Sequence, residues 1–246
     1  MGKNGSAKMK FEVVFIIVVL AFVLIYAFCG GTGIHFHKRP KDGEIRIACV
    51  GDSITNGALI PGCWFRSYPT VLSRSLGDKY HVENFGLNSR TLHSNGNKPY
   101  IAEREYSRSI EFKPDIVIFL LGANDTKEIN WRSKDEFADE YVKFIQTYQE
   151  KNPGVKIIIC NSTWCLNAEN KLQGFTNDTN ADLFSTLADA AKKVGEKLNL
   201  PIIDIYSKFL NRRDLLSYDN IHPNSKGAKV IAEEVRKGLE KYGMLV

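Results

Sequence analysis

Five short runs rich in β-branched and other apolar residues are spaced along the chain at Ile45 to Val50, His81 to Asn84, Ile116 to Leu121, Lys156 to Cys160 and Pro201 to Asp204. Helical patterns alternate with them near Tyr68 to Leu76, Glu103 to Glu111, Lys134 to Lys151, Ala181 to Leu198 and Ser225 to Tyr242. The last of these carries Ala228, Ile231, Val235 and Leu239 on one helical face. Such alternation specifies βαβ units, because parallel neighbours need a crossover, and it predicts a parallel sheet covered on both faces. Ligands of open sheets of this kind bind outside the carboxyl ends of the strands. The residues that immediately follow each strand therefore carry the most information about chemistry.

Those residues form a coherent set. Gly51-Asp52-Ser53-Ile54-Thr55 follows the first run, Asn84-Phe85-Gly86 ends the second, and Gly122-Ala123-Asn124-Asp125 follows the third. Asp219-Asn220-Ile221-His222 precedes the final helix, with Pro223 at or just before its start. A serine hydroxyl is a poor nucleophile at neutral pH and needs a base, and imidazole is the side chain best poised to act as one. A carboxylate on the far ring nitrogen fixes the tautomer and stabilises the imidazolium, and Asp219 lies close enough to His222 to do so within one loop. Acyl transfer also develops negative charge on a carbonyl oxygen, which requires waiting donors. The Gly86 N–H, the Asn124 amide and the Ser53 N–H are the candidates. Taken singly, Ser53 could merely cap a helix, and Asp219 and His222 could be turn residues; their co-occurrence is what points to hydrolysis.

GDSIT, the glycine of NFG, GAND and DNIHP stand in the order and spacing of one family, so the chain from about Ile45 onward resembles the SGNH hydrolases, or GDSL esterases. The resemblance implies a flavodoxin-like three-layer α/β sandwich with a five-stranded parallel sheet. It makes Ser53 the nucleophile, Asp219 and His222 the rest of the triad, and Ser53, Gly86 and Asn124 the oxyanion donors. No cofactor or metal is implied. Ile54 stands where the family usually has leucine, a volume-conserving change. Between the blocks, Ser67-Tyr68-Pro69, Lys113 to Ile118, Trp131 and Lys134-Asp135-Glu136-Phe137 resemble the sialate O-acetylesterase-like and acetylxylan-esterase-like members. That narrower likeness implies an O-acetyl ester on a carbohydrate. The loop Ala58 to Phe65, with Pro61-Gly62-Cys63-Trp64, is more individual and borders the expected site. A lysophospholipase or thioesterase is the alternative enzyme class, and an inactive carbohydrate-binding relative is a third reading.

With 246 residues, 43% hydrophobic and 25% charged, the chain holds one globular domain, placed at 44–246, and an appendage. The net charge of +5 is modest and spread out, and no RNA-binding motif occurs, so nucleic acid is not expected as a partner. The appendage reads as a basic segment at 1–12 with Lys3, Lys8 and Lys10, an uncharged apolar run at 13–29, and a stalk at 30–43. The run's 17 residues fall at the short end of a membrane-spanning helix, about 17 to 25. A transmembrane signal anchor with the catalytic domain outside the cytoplasm is the first expectation; a signal peptide cleaved near Ala27-Phe28-Cys29, giving a secreted enzyme, is the second.

Cys49 and Cys160 lie in strand runs and read as small buried residues. Cys63 and Cys165 fall in loops after strands, which leaves a disulfide between them open. Asn161-Ser162-Thr163 and Asn177-Asp178-Thr179 match the glycosylation sequon. Asp52 is expected to brace its turn, Asp125 to have a structural role, such as capping a helix, and His81 and His93 to be structural. Trp64, Trp131 and Trp164 each follow a strand end, where an aromatic face suits either a sugar ring or core packing.

Overall fold

The structure is a computed structural model that describes residues 12–21, 37–166 and 182–246. A first helix, α1, covers residues 12–21. The domain then runs β1 (Ile45–Gly51), α2 (Ser53–Asn56), α3 (Cys63–Arg66), α4 (Tyr68–Leu76), β2 (Tyr80–Gly86), α5 (Arg104–Glu111) and β3 (Ile116–Leu120). It continues with α6 (Lys134–Lys151), β4 (Lys156–Cys160), α7 (Leu183–Leu198), β5 (Ile202–Ile203), α8 (Tyr206–Phe209) and α9 (Ser225–Lys241).

The five strands are all parallel, in the order β2-β1-β3-β4-β5. The order reverses at β1, which is the doubly wound arrangement the alternating pattern called for. Successive strand residues face opposite sides, and both sides are apolar. Ile47, Cys49, Ile118, Leu120 and Ile158 pack under α4 and α9 through Tyr68, Leu72, Ile231, Val235 and Leu239. Ala48, Val50, Val117, Phe119 and Ile159 pack under α5, α6 and α7 through Tyr106, Tyr141, Phe144, Tyr148 and Val194. Helices thus cover both faces, and the strand termini are left to the loops.

β5 is shorter than the expected Pro201 to Asp204. Asn161, just past β4, explains its abrupt end: its side-chain oxygen accepts the N–H groups of Ile205 and Tyr206 at 2.6 and 2.8 Å, and its amide nitrogen donates to Asp204 at 2.9 Å. These bonds turn the chain out of the sheet into α8. The first sequon is therefore closed, since Asn161 is buried and its amide is engaged; Asn177 of the second lies outside the described residues.

Of the run expected to cross a membrane at 13–29, residues 13–21 belong to α1 and 22–29 lie outside the described residues. Among the described residues no helix is long and apolar enough to cross a membrane, so the described part of the run gives the expected transmembrane helix no support. Residues 1–11 of the basic segment and 30–36 of the stalk also lie outside the described residues.

Candidate active site

Strand register brings the blocks together. Gly51 pairs with Gly86 on β2 and with Leu120 on β3, so three strands end at one level. The chain leaves β1 straight into α2, whose N-cap is Asp52: its carboxylate accepts the Ile54 N–H at 2.9 Å. This bracing matches the expectation for Asp52 and fixes Ser53 as the first helical residue, 8% exposed at the sheet edge.

The other two groups come from a loop tied shut on itself. The Ser217 N–H donates to the His222 carbonyl at 2.7 Å, the Asn220 N–H donates to the Ser217 carbonyl at 3.1 Å, and Leu216 bridges Pro223. Asn220 takes a left-handed conformation with φ 63°, which asparagine tolerates better than most residues. Inside this loop Asp219 Oδ1 accepts the N–H groups of Ile221 and His222, both at 3.1 Å. Asp219 Oδ2 lies 2.5 Å from His222 Nδ1, and His222 Nε2 lies 2.8 Å from Ser53 Oγ. An acceptor at Nδ1 selects the tautomer that carries its proton there, leaving the Nε2 lone pair toward the serine hydroxyl. Burial by itself would raise the Asp219 carboxyl, but the hydrogen bond and charge of His222 and the two backbone donors hold it below the usual carboxylate range. The three residues form one continuous relay from carboxylate to hydroxyl, an arrangement able to deprotonate an attacking serine.

Asn124 sits in the 3-10 turn Ala123–Thr126 after β3. One hydrogen of its amide goes to the Arg90 carbonyl at 3.1 Å, and an amide has a second. Its own carbonyl accepts from Asn130 Nδ2 at 2.9 Å. The first turn of α2 presents the Ser53 N–H, which by position has no partner inside the helix.

Gly86 departs from expectation. Its N–H donates to Asn84 Oδ1 at 2.8 Å, so the amide is engaged within the protein instead of offered as an oxyanion donor. The glycine is needed there for another reason: a Cβ would fall 2.7 Å from the Thr55 carbonyl carbon and 2.8 Å from Asn56 Cα. Only a bare backbone lets the end of β2 lie against α2. Asn84, which also donates to the Thr55 carbonyl at 2.9 Å, ties the same two segments.

Asp125 is not a cap. Its carboxylate accepts the Leu92 and His93 N–H groups at 2.9 and 2.8 Å, pinning the long loop after β2 to the loop after β3. Burial raises the Asp125 carboxyl to about 7, with the Asp52 charge adding to the rise, and burial raises Asp52 to about 6. His81 lies between Glu44 and Glu83, and His93 beside Glu140, contacts that fit the structural roles expected of them. Trp131 and Trp164 are partly buried against the two cores, while Trp64 is 47% exposed. Cys63 and Cys165 are both buried and are not joined to each other, which answers the open pairing. Among the described residues, no group of three or more His, Cys, Asp or Glu side chains is placed to hold a metal ion.

The motif reading passed over the turn Asn88-Ser89-Arg90. Asn56 Nδ2 donates to Asn88 Oδ1 at 2.5 Å, Arg90 supplies the carbonyl that Asn124 uses, and Ser89 between them has φ 66°. The sequence signal was faint: an asparagine and a serine soon after a strand, where a left-handed turn residue is common.

Residues 49–230 match the family model described as the GDSL-like Lipase/Acylhydrolase family. An acetylxylan esterase of Xylanibacter ruminicola is 31% identical over 221 residues, covering 82% of this chain but 44% of the relative, so the chain spans less than half of that protein. Among solved structures, a lipase/acylhydrolase from Enterococcus faecalis is similar with TM-score 0.63 and 19% identity, over 80% of this chain and 96% of that one. The acetyl xylan esterase AlAXEase is similar with TM-score 0.61 and 20% identity, over 79% and 100%.

Proposed function

Because this chain belongs to the GDSL-like lipase/acylhydrolase family and is an esterase, we propose that Ser53 is its nucleophile and that its substrates are O-acetyl esters of carbohydrates. The observation that carries the serine mechanism is the unbroken relay Asp219–His222–Ser53, at 2.5 and 2.8 Å. Ser53 Oγ attacks the ester carbonyl carbon while His222 Nε2 takes its proton, and Asp219 stabilises the imidazolium. The tetrahedral oxyanion lies against the Ser53 N–H and the free hydrogen of the Asn124 amide. Collapse expels the sugar alkoxide, which receives the proton from His222, and leaves acetyl-Ser53. Water, deprotonated by His222, then releases acetate and restores the hydroxyl.

The carbohydrate acetyl ester rests on the similarity to an acetylxylan esterase and on the blocks between the motifs. Trp64, the exposed tryptophan after α2, is the aromatic face suited to stack on a sugar ring. We place the catalytic domain 44–246 outside the cytoplasm, held by the apolar run 13–29 through the stalk 30–43. That placement is supported by the three lysines ahead of the run and by Val13 to Leu20, exposed apolar side chains on α1. Alkaline extraction of membranes tests it: release of the protein into the soluble fraction rejects the anchor.

Ser53→Ala should lower turnover of an acetyl ester by about 10⁵-fold or more while the fold persists. A folded variant that keeps parental turnover refutes the nucleophile. Acetyl and octanoyl esters of one leaving group, assayed side by side with acetylated xylo-oligosaccharides, test the substrate. Preference for octanoyl replaces the carbohydrate reading with a lysophospholipase or thioesterase.

A further inference from the structure

The turn after β2 touches the site on two sides. Asn88 accepts from Asn56, three residues past Ser53, and the Arg90 carbonyl accepts from Asn124. Between these contacts stands Ser89, a residue with a Cβ at φ 66°. A left-handed conformation is strained for a residue that carries a Cβ. It persists only where surrounding structure over-determines it, and such residues gather at functional sites. The side chain that over-determines it is Arg90. Its Nη1 donates to the Asn88 carbonyl at 2.8 Å, closing the turn, while Nε and Nη2 reach Glu103 Oε1 at 2.9 and 2.8 Å. Glu103 directly precedes α5, so the guanidinium is fixed to a helix start and not to another loop.

As a partly exposed ion pair this would contribute little to stability. Its consequence is directional. The Arg90 carbonyl takes one hydrogen of the Asn124 amide, and because the amide is planar, fixing one hydrogen fixes where the other points. A donor to a developing oxyanion has to be held within about 0.5 Å and 10–20° of its productive position.

We propose that Arg90 is a positioning residue of the oxyanion site: by clamping the Asn88–Arg90 turn to Glu103, it holds the carbonyl that aims the Asn124 amide. This rests on the reading above, in which Asn124 donates to the oxyanion. Arg90 touches no reacting atom and acts through Asn124.

The test is a double-mutant cycle in the full-length protein, with an acetyl ester as substrate. Arg90→Met should lower kcat by about 10²-fold, the scale of a misplaced catalytic group, and leave KM within about threefold. In an Asn124→Ala background the same change should cost less than about threefold, because the group it aims is gone. Glu103→Gln, which leaves the arginine in place with a weaker partner, should fall between parent and Arg90→Met. Ser89→Gly added to Arg90→Met should recover part of kcat, because glycine adopts the turn without strain. Equal losses in both backgrounds, or a folded Arg90→Met with kcat within about threefold of the parent, overturn the proposal. If Arg90→Met does not fold, Glu103→Gln in the two backgrounds decides by the same criterion. Ser53→Ala run alongside separates the readings: an active Ser53→Ala overturns both, whereas an inactive one with an unaffected Arg90→Met overturns only the positioning role.

Discussion

Replacing Asp219 by Asn isolates the charge and hydrogen-bond polarity of the relay, because the loop around it should survive. An asparagine oxygen in the Oδ1 position can still accept the Ile221 and His222 N–H groups, now at 3.1 Å each. Its NH₂ then occupies the Oδ2 position, 2.5 Å from His222 Nδ1. There it can only donate, so the imidazole must accept at Nδ1 and carry its proton on Nε2, facing Ser53. An Nε2–H cannot take the serine proton. The flipped amide is disfavoured, since it would leave two backbone N–H groups facing donors at about 1–3 kcal/mol each. In a serine protease the equivalent change lowers kcat by about 10⁴-fold, which corresponds to about 5 kcal/mol of transition-state stabilisation. The same loss is expected here for acetyl ester hydrolysis near pH 8, with circular dichroism and thermal melting reporting an intact fold. The wild-type carboxyl is held low on folding, so it contributes stability above its unfolded value of about 4, lost as pH falls through the lower folded value. The melting-temperature gap between parent and variant should therefore narrow below about pH 4. A folded Asp219→Asn enzyme with kcat within about tenfold of the parent would refute the relay argument.

Three further outcomes follow from the site. Asn124→Ala should lower kcat by about 10²–10³-fold with little change in KM, as removal of one oxyanion donor does; a change in KM alone would assign Asn124 to ground-state binding. Gly86→Ala should destabilise the fold by about 1–3 kcal/mol, because its Cβ meets the Thr55–Asn56 backbone; a variant with the parental denaturation midpoint contradicts that packing. Reducing agent should leave the melting temperature unchanged, because Cys63 and Cys165 are not bonded to each other, and a reductant-dependent shift would contradict that.

The parallel sheet was legible because a run such as Ile116–Leu120 has no polar residue to give either face to water. The convergence of Ser53 and Asn124 was legible for a related reason: each stands just past a strand, and parallel strands in register end on the same side. The fate of the Gly86 amide was not, because Asn84 decides it by folding its side chain back two residues. Such side-chain to backbone bonds compete locally with every other use of an amide and leave no periodic trace. β5 was overestimated for the same reason, since Asn161 just past β4 draws the Ile205 and Tyr206 amides out of line. The left-handed Ser89 lies in the same class, because its conformation is imposed by Arg90 and Glu103 and not by serine itself.

The two acids beside the site show what its rigidity costs. Asp52 caps the helix that begins with Ser53, and Asp125 pins the loop that leads from Arg90 back to the sheet. Both are buried, and burial raises their carboxyls to about 6 and about 7, with the Asp52 charge pushing Asp125 further up. A carboxyl raised on folding begins to oppose the folded state once pH exceeds its unfolded value of about 4, and the penalty grows until pH passes the folded value. Above neutrality both groups therefore work against stability while accepting the backbone N–H groups that hold the donors in place. An asparagine at position 125 would lighten that penalty but presents a single acceptor oxygen, whereas Asp125 meets the Leu92 and His93 N–H groups with a separate oxygen for each. The acids are thus best understood as fixing the position of Ser53 and of the Asn88–Arg90 turn at the expense of global stability, an exchange expected where geometry matters more than the last increment of folding free energy.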